Sequence, residues 1–475
     1  MNNRHQRHLY NPMKLKISIL NSSNSEFSLA CEFCKELAGQ SHQSYIVGGY
    51  IRDLILDSFS SSCANRFFLL KKQRDLDIST NVPMDEIRKR FKTYELGSNF
   101  GTLNVSYNGY NFEVSQFRRD GDYSDGRHPD SVGFSTPEED AQRRDFTING
   151  IFYDPLSETV IDYANGLEDL QNGIIRCIGV PYDRFSEDYL RMLRAIRFAV
   201  SFNFTIDDRT GKAIRENAYK ITRISQERIT KEFLKILNVP NPGINGIQVL
   251  HEYGLLKYII PECLEYIGCG QPEKWHPEGD VWTHTMIMIN GIGEDYKDIS
   301  NPSVFPLAVL LHDVGKPATK CGDHFLEHDM VGAGISEDIC RRLKLSNEET
   351  NMVSSLVRMH MRSRFFDEMR RSKKKKLVNE KYFNELMELF RLDCISSKSS
   401  LDTYYNILNF KEETPPEIIK PEPIIRGGDL LELGFKAGPI IGQILNNIMD
   451  LQLEEEINTK EEAINHVLKN WELPK

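Results

Sequence analysis

The 475-residue sequence contains little cysteine, no long apolar run and no excess of positive charge. Its nine cysteines are irregularly spaced, and the single Cys-x-x-Cys pair, Cys31 and Cys34, lacks the second pair that a zinc site of this type needs. This spacing argues against a disulfide framework, so we expect reduced thiols and a cytoplasmic location. Apolar segments such as residues 307–311 are far shorter than the ~18 residues that span a membrane, so no membrane partner is expected.

The net charge of −10 at pH 7 argues against a protein that coats nucleic acid along its whole surface. Any RNA-binding surface must therefore be local. Residues 1–7 are basic but no apolar segment follows them, so we expect no secretory signal. The length predicts about two to four domains, and no internal repeat is evident.

Two short motifs carry the strongest chemical signal. The run Ile46-Val-Gly-Gly-Tyr-Ile-Arg-Asp53 predicts a strand end, a Gly-Gly turn and a helix start. Both glycines lack a Cβ, so the backbone can approach a ligand closely, and the amides that open a helix can hold a phosphate. In Asp75-Leu-Asp-Ile78, alternation places Asp75 and Asp77 on one face of a strand. Two carboxylates facing a phosphate site suit two-metal phosphoryl transfer.

In this order, GGxxRD and DLDI resemble motif A of the tRNA nucleotidyltransferase and poly(A) polymerase family, a branch of the polymerase-β-like fold that includes CCA-adding enzymes. A lone Gly-Gly is usually a turn, and a lone Asp-x-Asp is usually a solvated strand edge. The combination therefore carries the resemblance. The stretch 58–74, Ser-rich and then apolar and basic, departs from the family's shorter turn, and we interpret it as an insertion.

The next segment supplies a candidate third carboxylate. Asn108-Gly109 predicts a hairpin between strands at 101–107 and 110–117, with Glu113 on the polar face of the second strand. Glu113 is either a third metal ligand, as the resemblance implies, or an exposed strand residue. The charged stretch 118–133 predicts a loop, which is similar to the flexible loop of family members that add A or is a surface loop with incidental arginines.

Two further runs resemble later motifs of the family. Arg143-Arg-Asp-Phe-Thr-Ile-Asn-Gly150 resembles motif B: arginine forks can hold a triphosphate bidentately, and Asp145 can orient them or bind a sugar hydroxyl. Asp162-Tyr-Ala-Asn-Gly-Leu-Glu-Asp169 resembles a turn that couples head and neck, although its acids could equally cap the next helix. Residues 225–233 predict another helix that starts with capping-box-like chemistry and is similar to the family's neck.

Residues 187–198 predict an amphipathic helix on which Asp188 and Arg191, at i and i+3, share one face. The pair resembles the EDxxR motif with which the family replaces a nucleic-acid template; its alternative is a surface ion pair. A carboxylate accepts from the exocyclic amine of C or A, and an arginine donates to the adjacent ring nitrogen. U and G present a carbonyl oxygen to the carboxylate instead, at a cost of about 1–3 kcal/mol per buried mismatch.

Histidines recur in helical, apolar settings in the C-terminal half. The ordered set H…HD…H…H…D resembles an HD-type phosphohydrolase domain, which some bacterial CCA-adding enzymes carry after the neck. The resemblance implies a divalent metal of unknown identity, with His328 and His360 assisting a second ion or the substrate phosphate. The implied ligands are His284, His312, Asp313 and Asp393. The alternative is an inactive HD fold that serves as a tRNA-binding scaffold.

The dense basic run Arg370-Arg-Ser-Lys-Lys-Lys-Lys376 is either an RNA-backbone contact or a solvated loop, and we favour the loop. Proline-containing segments near 414–423 predict a linker. Residues 427–439 and the helices after them resemble the C-terminal segment of many CCA-adding enzymes.

The resemblance implies an α+β fold: a polymerase-β-like nucleotidyltransferase head, which is a small sheet with helices, followed by an all-α neck, an HD domain and a tail. The predicted boundaries are a disordered N-terminus at 1–26, the head at 27–165, the RNA- and nucleotide-binding neck at 166–268, the HD domain at 269–400, and the linker and helical tail at 401–475.

The implied function is template-independent addition of C and A, as CCA or as the terminal A alone, to the 3′ end of tRNA from CTP and ATP, with a phosphohydrolase side activity at the HD site. Asp75 and Asp77, with Glu113, would be catalytic and bind Mg²⁺. The implied nucleotide-binding residues are Gly48, Gly49, Arg52, Asp53, Arg143, Arg144, Asp145, Asn149, Asp188, Arg191, Arg194 and Arg197.

Three alternatives remain. A bacterial poly(A) polymerase shares the first two motifs, but the HD set and the lack of a long basic C-terminal extension count against it. An enzyme that adds only the terminal A fits the same residues. A phosphohydrolase with an inactive transferase head is disfavoured by the intact Asp75/Asp77 pair. The sequence does not specify the oligomeric state.

Overall fold

The computed structural model describes most of the chain: residues 13–16, 25–59, 76–95, 102–120, 132–292 and 298–472. These residues form two compact units, Met1–Pro261 and Glu262–Lys475. The finer divisions into head, neck, HD domain and tail stay predictions. Within the described ranges, no helix is both long and apolar enough to cross a membrane.

The first unit contains an eight-stranded mixed sheet and a separate two-stranded ribbon. Their strands are β1 (Met13–Lys16), β2 (Ser44–Val47), β3 (Asp77–Thr80), β4 (Lys92–Glu95), β5 (Thr102–Tyr107), β6 (Tyr110–Gln116), β7 (Arg118–Asp120), β8 (Val132–Phe134), β9 (Ile151–Asp154) and β10 (Thr159–Asp162). The order across the sheet is β1-β10-β9-β2-β3-β6-β5-β4. This sheet with its helices confirms the predicted α+β class.

The register of the central strands brings the two halves of motif A together. Val47 of β2 pairs with Asp77 of the antiparallel β3, so the Gly-Gly turn after Val47 starts beside that carboxylate. Asp77 in turn pairs with Glu113 of the parallel β6. The candidate site therefore lies at the sheet edge where β2 ends and β3 begins.

The predicted hairpin is confirmed. Asn108 and Gly109 have φ of 46° and 86°, the left-handed values that a tight hairpin turn requires. On β6, Phe112 and Val114 are buried and Glu113 is exposed, as the alternation predicts.

Two predictions about irregular segments are wrong in part. Residues 13–16 were assigned to a disordered N-terminus, but they form strand β1 against β10, because the extended backbone completes an open sheet edge. The predicted loop at 118–133 has an ordered base, since β7 and β8 pair antiparallel. Residues 121–131, and the greater part of the 58–74 insertion, lie outside the described residues.

Helices make up most of the rest of the first unit. They are α1 (Ser25–Ala38), α2 (Gly49–Phe59), α3 (Met84–Arg90), α4 (Pro137–Gln142), α5 (Gly166–Asn172), α6 (Pro181–Glu187), α7 (Leu190–Phe202), α8 (Asp208–Asn217), α9 (Gln226–Leu237), α10 (Val249–Glu252) and α11 (Leu256–Ile259). A short parallel pair, β11 (Ile174–Ile175) and β12 (Thr205–Ile206), lies among them. Of the helices, α1, α2 and α3 pack against strands of the sheet.

The helix predicted at 187–198 is interrupted. α6 ends at Glu187, Asp188 is extended with φ of −156°, and α7 begins at Leu190. The Asp188 carboxylate accepts the Leu190 N–H at 3.0 Å, a local bond that competes with helix continuation. Asp188 and Arg191 are therefore not i and i+3 on one helix.

Of two predicted helix caps, one forms and the other does not. The Asp162 carboxylate accepts the amides of Gly166 at 3.0 Å and Leu167 at 2.8 Å, so this acid holds the start of α5. Ser225 precedes α9, but its side chain makes no capping bond, so the predicted capping-box chemistry is wrong there.

The second unit is helical apart from a small hairpin, β13 (Lys320–Cys321) with β14 (His324–Phe325). Its helices are α12 (Val281–Asn290), α13 (Phe305–Leu311), α14 (Lys316–Thr319), α15 (His328–Arg342), α16 (Asn347–Met359), α17 (Arg371–Val378), α18 (Phe383–Ser396), α19 (Asp402–Glu413), α20 (Pro416–Ile419), α21 (Gly427–Glu432), α22 (Pro439–Leu453) and α23 (Lys460–Asn470).

The basic run at 370–376 is not a solvated loop. It forms most of α17, which packs against α22. Lys375 is 1% exposed, and its Nζ donates to the Leu453 carbonyl at 2.7 Å and to Glu455 at 3.1 Å. The ammonium thus satisfies the C-terminal end of α22, where cations are favoured.

A close crossing at Gly315 sets the position of α15. A Cβ at Gly315 would lie 2.1 Å from the His328 carbonyl oxygen and 2.7 Å from the Gly332 nitrogen. Only a residue without a side chain allows this approach. Gly334, further along α15, has nothing within 4 Å of such a Cβ.

We expect Gly315→Ala to destabilise the protein and Gly334→Ala to stabilise it, although each adds one methyl group. Overpacking at Gly315 should cost about 1–3 kcal/mol or more, whereas alanine in an exposed helix interior should gain about 0.5–1 kcal/mol. Urea unfolding followed by circular dichroism measures both. Equal midpoints for the two variants would contradict the crossing.

Candidate functional site

The Gly48-Gly49 turn forms one wall of the candidate active site. Gly48 has φ of +75°, a left-handed value that suits glycine. A Cβ there would lie 3.3 Å from Arg144 Nη1 and 3.6 Å from Asp77 Oδ2. Because α2 starts at Gly49, its first amides are at the same place. The turn therefore provides helix amides between a guanidinium and a carboxylate, which suits a phosphate with a bound cation.

A cavity of about 500 Å³ opens beside this turn. It is lined by every residue that the sequence predicted to bind the nucleotide, together with Asp77, Tyr50 and Phe198. The fold thus collects around one space side chains from three motifs, which lie at 46–53, 143–150 and 187–198 of the chain.

Two of the predicted metal-binding carboxylates, Asp77 and Glu113, come from neighbouring strands, and of these two Asp77 lines the cavity whereas Glu113 does not. Asp77 and Glu113 occupy paired positions on the parallel strands β3 and β6, so their side chains leave the same face of the sheet. Glu113 is exposed and Asp77 is partly buried. Asp75 lies outside the described residues.

A chain of hydrogen bonds connects α2 to α7 through motif B. Arg52 Nη1 donates to Asn149 Oδ1 at 2.6 Å, and Asn149 Nδ2 donates to Asp145 Oδ1 at 2.9 Å. Arg194 donates from Nε and Nη2 to Asp145 Oδ2 at 2.9 and 2.6 Å. Both oxygens of Asp145 are therefore engaged by protein donors, which supports an orienting role for this residue over a sugar contact.

The charge state of Asp145 follows from these partners. Burial alone would raise the pKa of Asp145, but Arg194 and Asn149 outweigh burial and hold that pKa well below its usual range. The carboxylate is therefore ionised at neutral pH and keeps Arg194 fixed.

Asp140 holds the two motif B arginines and was not predicted. It is fully buried on α4, with Arg143 Nη2 2.7 Å from Oδ1 and Arg144 Nη2 3.1 Å from Oδ2. Burial raises the pKa of Asp140, but the two arginines together lower it below the ordinary value. The i+3 and i+4 spacing to Arg143 and Arg144 was the available signal.

The predicted Asp188–Arg191 pair is replaced by two other pairs. Arg228 of α9 donates to both Asp188 oxygens, at 2.6 Å from Nη2 and 3.3 Å from Nη1. Arg191 Nη1 instead donates to Glu187 and, at 2.9 Å, to the Arg184 carbonyl. Asp188 and Arg191 both still line the cavity. Each is held by a different partner, Asp188 by Arg228 and Arg191 by Glu187.

Phe198 is a second residue that sequence reasoning missed. The guanidinium groups of Arg197, Arg52 and Arg194 lie 4.0, 5.0 and 5.2 Å from its ring centroid. An aromatic face attracts such cations and orders their side chains. The helical pattern identifies Phe198 only as an apolar residue. Arg228 is likewise missed, because the sequence predicts only that it lies in a helix of the neck.

The second unit holds the predicted histidine set in a buried cluster. The Nδ1 atoms of His312, His328 and His360 lie 2.8, 2.9 and 2.6 Å from the carbonyl oxygens of Val309, Phe325 and Val357. With Nδ1 as the donor, each imidazole presents the lone pair of Nε2. Burial lowers the pKa of both His312 and His328, which favours the neutral form that binds metals.

The Nε2 atoms converge on Asp313. His312 Nε2 is 3.0 Å from Asp313 Oδ2, and His284 Nε2 is 4.0 Å from the same oxygen. His328 and His360 place Nε2 3.5 and 3.6 Å from Oδ1. Asp393 Oδ1 lies 3.4 Å from His284 Nε2, and Arg364 donates to Asp393 Oδ2 at 2.6 Å.

This donor set fits divalent metal. Within the part of the chain that the structure describes, the Nε2 atoms of His284 and His312 and both Asp313 oxygens are buried without hydrogen-bond partners. Asp313 Oδ2 forms an ion pair with Lys316, whose Nζ lies 2.7 Å away. Buried acceptors of this kind are costly unless a cation satisfies them. Asp313 lies between two groups of ligand atoms, one with His284 and His312 and one with His328 and His360.

Three protein-family models match the chain: "Poly A polymerase head domain" over residues 44–176, "Probable RNA and SrmB- binding site of polymerase A" over 203–267, and "tRNA nucleotidyltransferase domain 2 putative" over 330–468. The CCA-adding enzyme of Streptococcus thermophilus is 29% identical over 446 residues, which are 93% of this chain and 96% of that protein. The chain belongs to the tRNA nucleotidyltransferase and poly(A) polymerase family.

Other members of the family match more strongly over a shorter stretch. The CCA-adding enzyme of Enterococcus faecalis is 38% identical over 244 residues, 51% of this chain and 54% of the relative. Poly(A) polymerase I of Salmonella typhi is 37% identical over 237 residues, 47% of this chain and 48% of the relative. These alignments span about half of each relative.

Solved structures show the same fold. The CCA-adding enzyme of Bacillus stearothermophilus in complex with CTP has a TM-score of 0.68 at 24% identity and covers 94% of this chain and 97% of its own. The Thermotoga maritima CCA-adding enzyme complexed with tRNA has a TM-score of 0.59 at 20% identity and covers 97% of this chain and 100% of its own. The shared fold agrees with the predicted α+β class.

Proposed function

We propose that this protein adds C and A nucleotides to the 3′ end of tRNA from CTP and ATP without a nucleic-acid template. The observation that carries the proposal is the single cavity that brings the Gly-Gly turn, Asp77, the motif B arginines and the α6–α7 break together. The relatives that match the chain over nearly its whole length support it, because they are CCA-adding enzymes.

The triphosphate would lie against the Gly48-Gly49 turn and the start of α2. Helix amides and arginine forks both suit phosphate oxygens. Arg144 is fixed beside Gly48 by Asp140, and Arg52 is fixed by Asn149 and by the Phe198 ring, so these cations are already oriented towards the cavity. Pre-oriented donors lower the cost of ordering on binding.

Asp77, with Asp75 and Glu113, would hold Mg²⁺ at the open side of the turn. The paired positions of Asp77 and Glu113 and the space left by the missing Gly48 side chain fit such a cation. When bound, the metal would supply Lewis-acid activation of the tRNA 3′-hydroxyl and charge for the leaving pyrophosphate.

The base would be read at the α6–α7 break. Asp188 accepts from the exocyclic amine of C or A, and Arg191 donates to the neighbouring ring nitrogen. Arg228 fixes the Asp188 carboxylate, and Glu187 holds Arg191, so the two readers are positioned independently. The carbonyl of U or G would face a carboxylate that cannot donate.

One assay separates this function from its alternatives. Purified protein is incubated with tRNAs that end before CCA, after C and after CC, each with one labelled triphosphate, and with an unstructured RNA. Incorporation of C, C and A in turn supports CCA addition. Use of only the CC-ending tRNA would indicate terminal-A addition, and repeated A on the unstructured RNA would indicate a poly(A) polymerase.

Asp77→Ala should lower nucleotide addition by about 10²–10³-fold or more, the loss typical of removing a key electrostatic group from a transition state. Binding of tRNA, measured by filter retention, should stay normal. Asp85→Ala removes an exposed carboxylate on α3 and serves as the control. Near-normal addition by Asp77→Ala would place the metal elsewhere.

Asp188→Asn should raise misincorporation of U while addition of C and A falls, because an amide can donate to the O4 of U. Asp183→Asn makes the same change at an exposed position of α6 and should have no effect. Competition between labelled CTP, ATP and UTP measures the selectivity. Full selectivity at a normal rate in Asp188→Asn would show that this residue is not the base reader.

We also propose a second activity, metal-dependent hydrolysis of phosphate esters at the HD centre of the second unit. The converging acceptors of His284, His312 and Asp313, which make no hydrogen bond among the described residues although Lys316 pairs with Asp313, favour it over an inactive scaffold. These residues, with Asp393, His328 and His360, would hold divalent metal, which when bound would supply an activated water.

The two activities should separate. Substitution of His312 and Asp313 should leave nucleotide addition near the wild-type rate and remove cyclic phosphodiesterase and phosphatase activity measured with Mg²⁺, Mn²⁺, Ni²⁺ or Co²⁺. His324→Ala, at an exposed position on β14, is the matched control. Absence of any such hydrolysis in the wild type would favour the scaffold.

A further inference from the structure

Two residues just before α12 belong to the HD centre although the predicted set omits them. His276 and Glu278 lie in the segment His276-Pro-Glu-Gly-Asp280 that leads into the helix carrying His284. The Glu278 side chain is 3% exposed and that of His276 is 11% exposed. Acidic and imidazole groups are seldom buried this deeply without a partner.

One carboxylate oxygen serves both imidazoles. Glu278 Oε1 lies 2.6 Å from His284 Nδ1 and 2.8 Å from His276 Nδ1. The two rings meet edge to face with centroids 4.8 Å apart. Ser396 Oγ, 3.2 Å from His284 Nδ1, is the other polar atom there.

His284 differs in this respect from the other imidazoles of the centre. His312, His328 and His360 each have Nδ1 beside the backbone carbonyl three residues earlier. His284 has a carboxylate in that position instead. With Nδ1–H donated to Glu278, the His284 Nε2 lone pair faces Asp393 Oδ1 at 3.4 Å and Asp313 Oδ2 at 4.0 Å.

We propose that Glu278 is a positioning residue of the HD metal centre, which fixes the tautomer and orientation of His284 while His276 holds the carboxylate from its other side. This inference rests on the proposed metal binding at the HD centre. A carboxylate behind a ligating imidazole fixes the ring and raises its basicity, and losing such a partner typically costs about 10–100-fold in metal affinity.

The unpartnered second oxygen argues against a purely structural role. Glu278 Oε2 is buried and makes no hydrogen bond within the described residues. A carboxylate left half-satisfied in the interior is unfavourable by itself. It becomes favourable when the imidazole in front of it carries a cation, because the negative charge then acts on the metal through His284.

The test measures metal affinity and does not depend on hydrolysis. Mn²⁺ is titrated calorimetrically into the full-length wild type and into Glu278→Gln, with His312→Ala as the baseline for binding at the head. Glu278→Gln should bind Mn²⁺ at the HD centre about 10–100-fold more weakly. Glu273→Gln makes the same change at an exposed position of the same segment and should bind normally.

Two measurements keep the outcomes distinct. If the wild type shows no Mn²⁺ binding beyond the His312→Ala baseline, metal binding at the HD centre itself fails. If the wild type binds and Glu278→Gln binds equally well, only the role of Glu278 fails. Glu278→Asp keeps the charge but withdraws the carboxylate by one methylene, so it gives the same test if Glu278→Gln does not fold, as judged by metal-free thermal unfolding.

Discussion

The ion pair between Asp145 and Arg194 is the interaction on which the nucleotide site depends. It joins motif B, which lies between α4 and β9, to α7, which carries further arginines of the cavity. Asn149 and Arg52 extend it to the phosphate end. Because the carboxylate is buried, its charge is tolerable only with these donors in place. A polar network therefore fixes the distance between the groups proposed to bind phosphate and those proposed to read the base.

The HD centre uses buried charge in the opposite way. In the first unit, three acids at the nucleotide cavity pair with arginines: Asp140 has two, Asp145 has Arg194 and Asp188 has Arg228. Asp313 is instead surrounded by imidazoles, of which His312 and His328 have their pKa lowered by burial, with Lys316 as its cationic neighbour. Arginines that remain beside such paired acids suit an anionic ligand, whereas a site with surplus acceptors suits a cation.

The basic side chains of α17 form ion pairs with residues at the end of α22. The cations of α17 pair with the acidic end of α22: Lys375 with Glu455, Lys376 with Asp450 and Arg371 with Glu455. A sequence count registers a dense basic run, but in the structure these charges are engaged within the second unit. A net charge of −10 and a local RNA-binding surface are compatible, since binding depends on where unpaired cations lie.

The sequence alone determined the hairpin at Asn108-Gly109, because turn chemistry and strand alternation are local properties of the chain. Its motif runs, through their resemblance to a known family, also predicted the fold class and most of the residues that line the cavity. Tertiary structure alone decided which charged side chains pair with each other. The break at Asp188 removed the expected pairing with Arg191, and Arg228, forty positions later, took Asp188 instead. Asp140 left a local signal in its i+3 and i+4 spacing to Arg143 and Arg144. Phe198 and Glu278 had no distinguishing local pattern, and the contact of Phe198 with Arg52 arises only because α7 packs beside α2. Spacing along one element predicts neighbours on that element, whereas a buried charge takes whichever counterion the packing of other elements brings within reach.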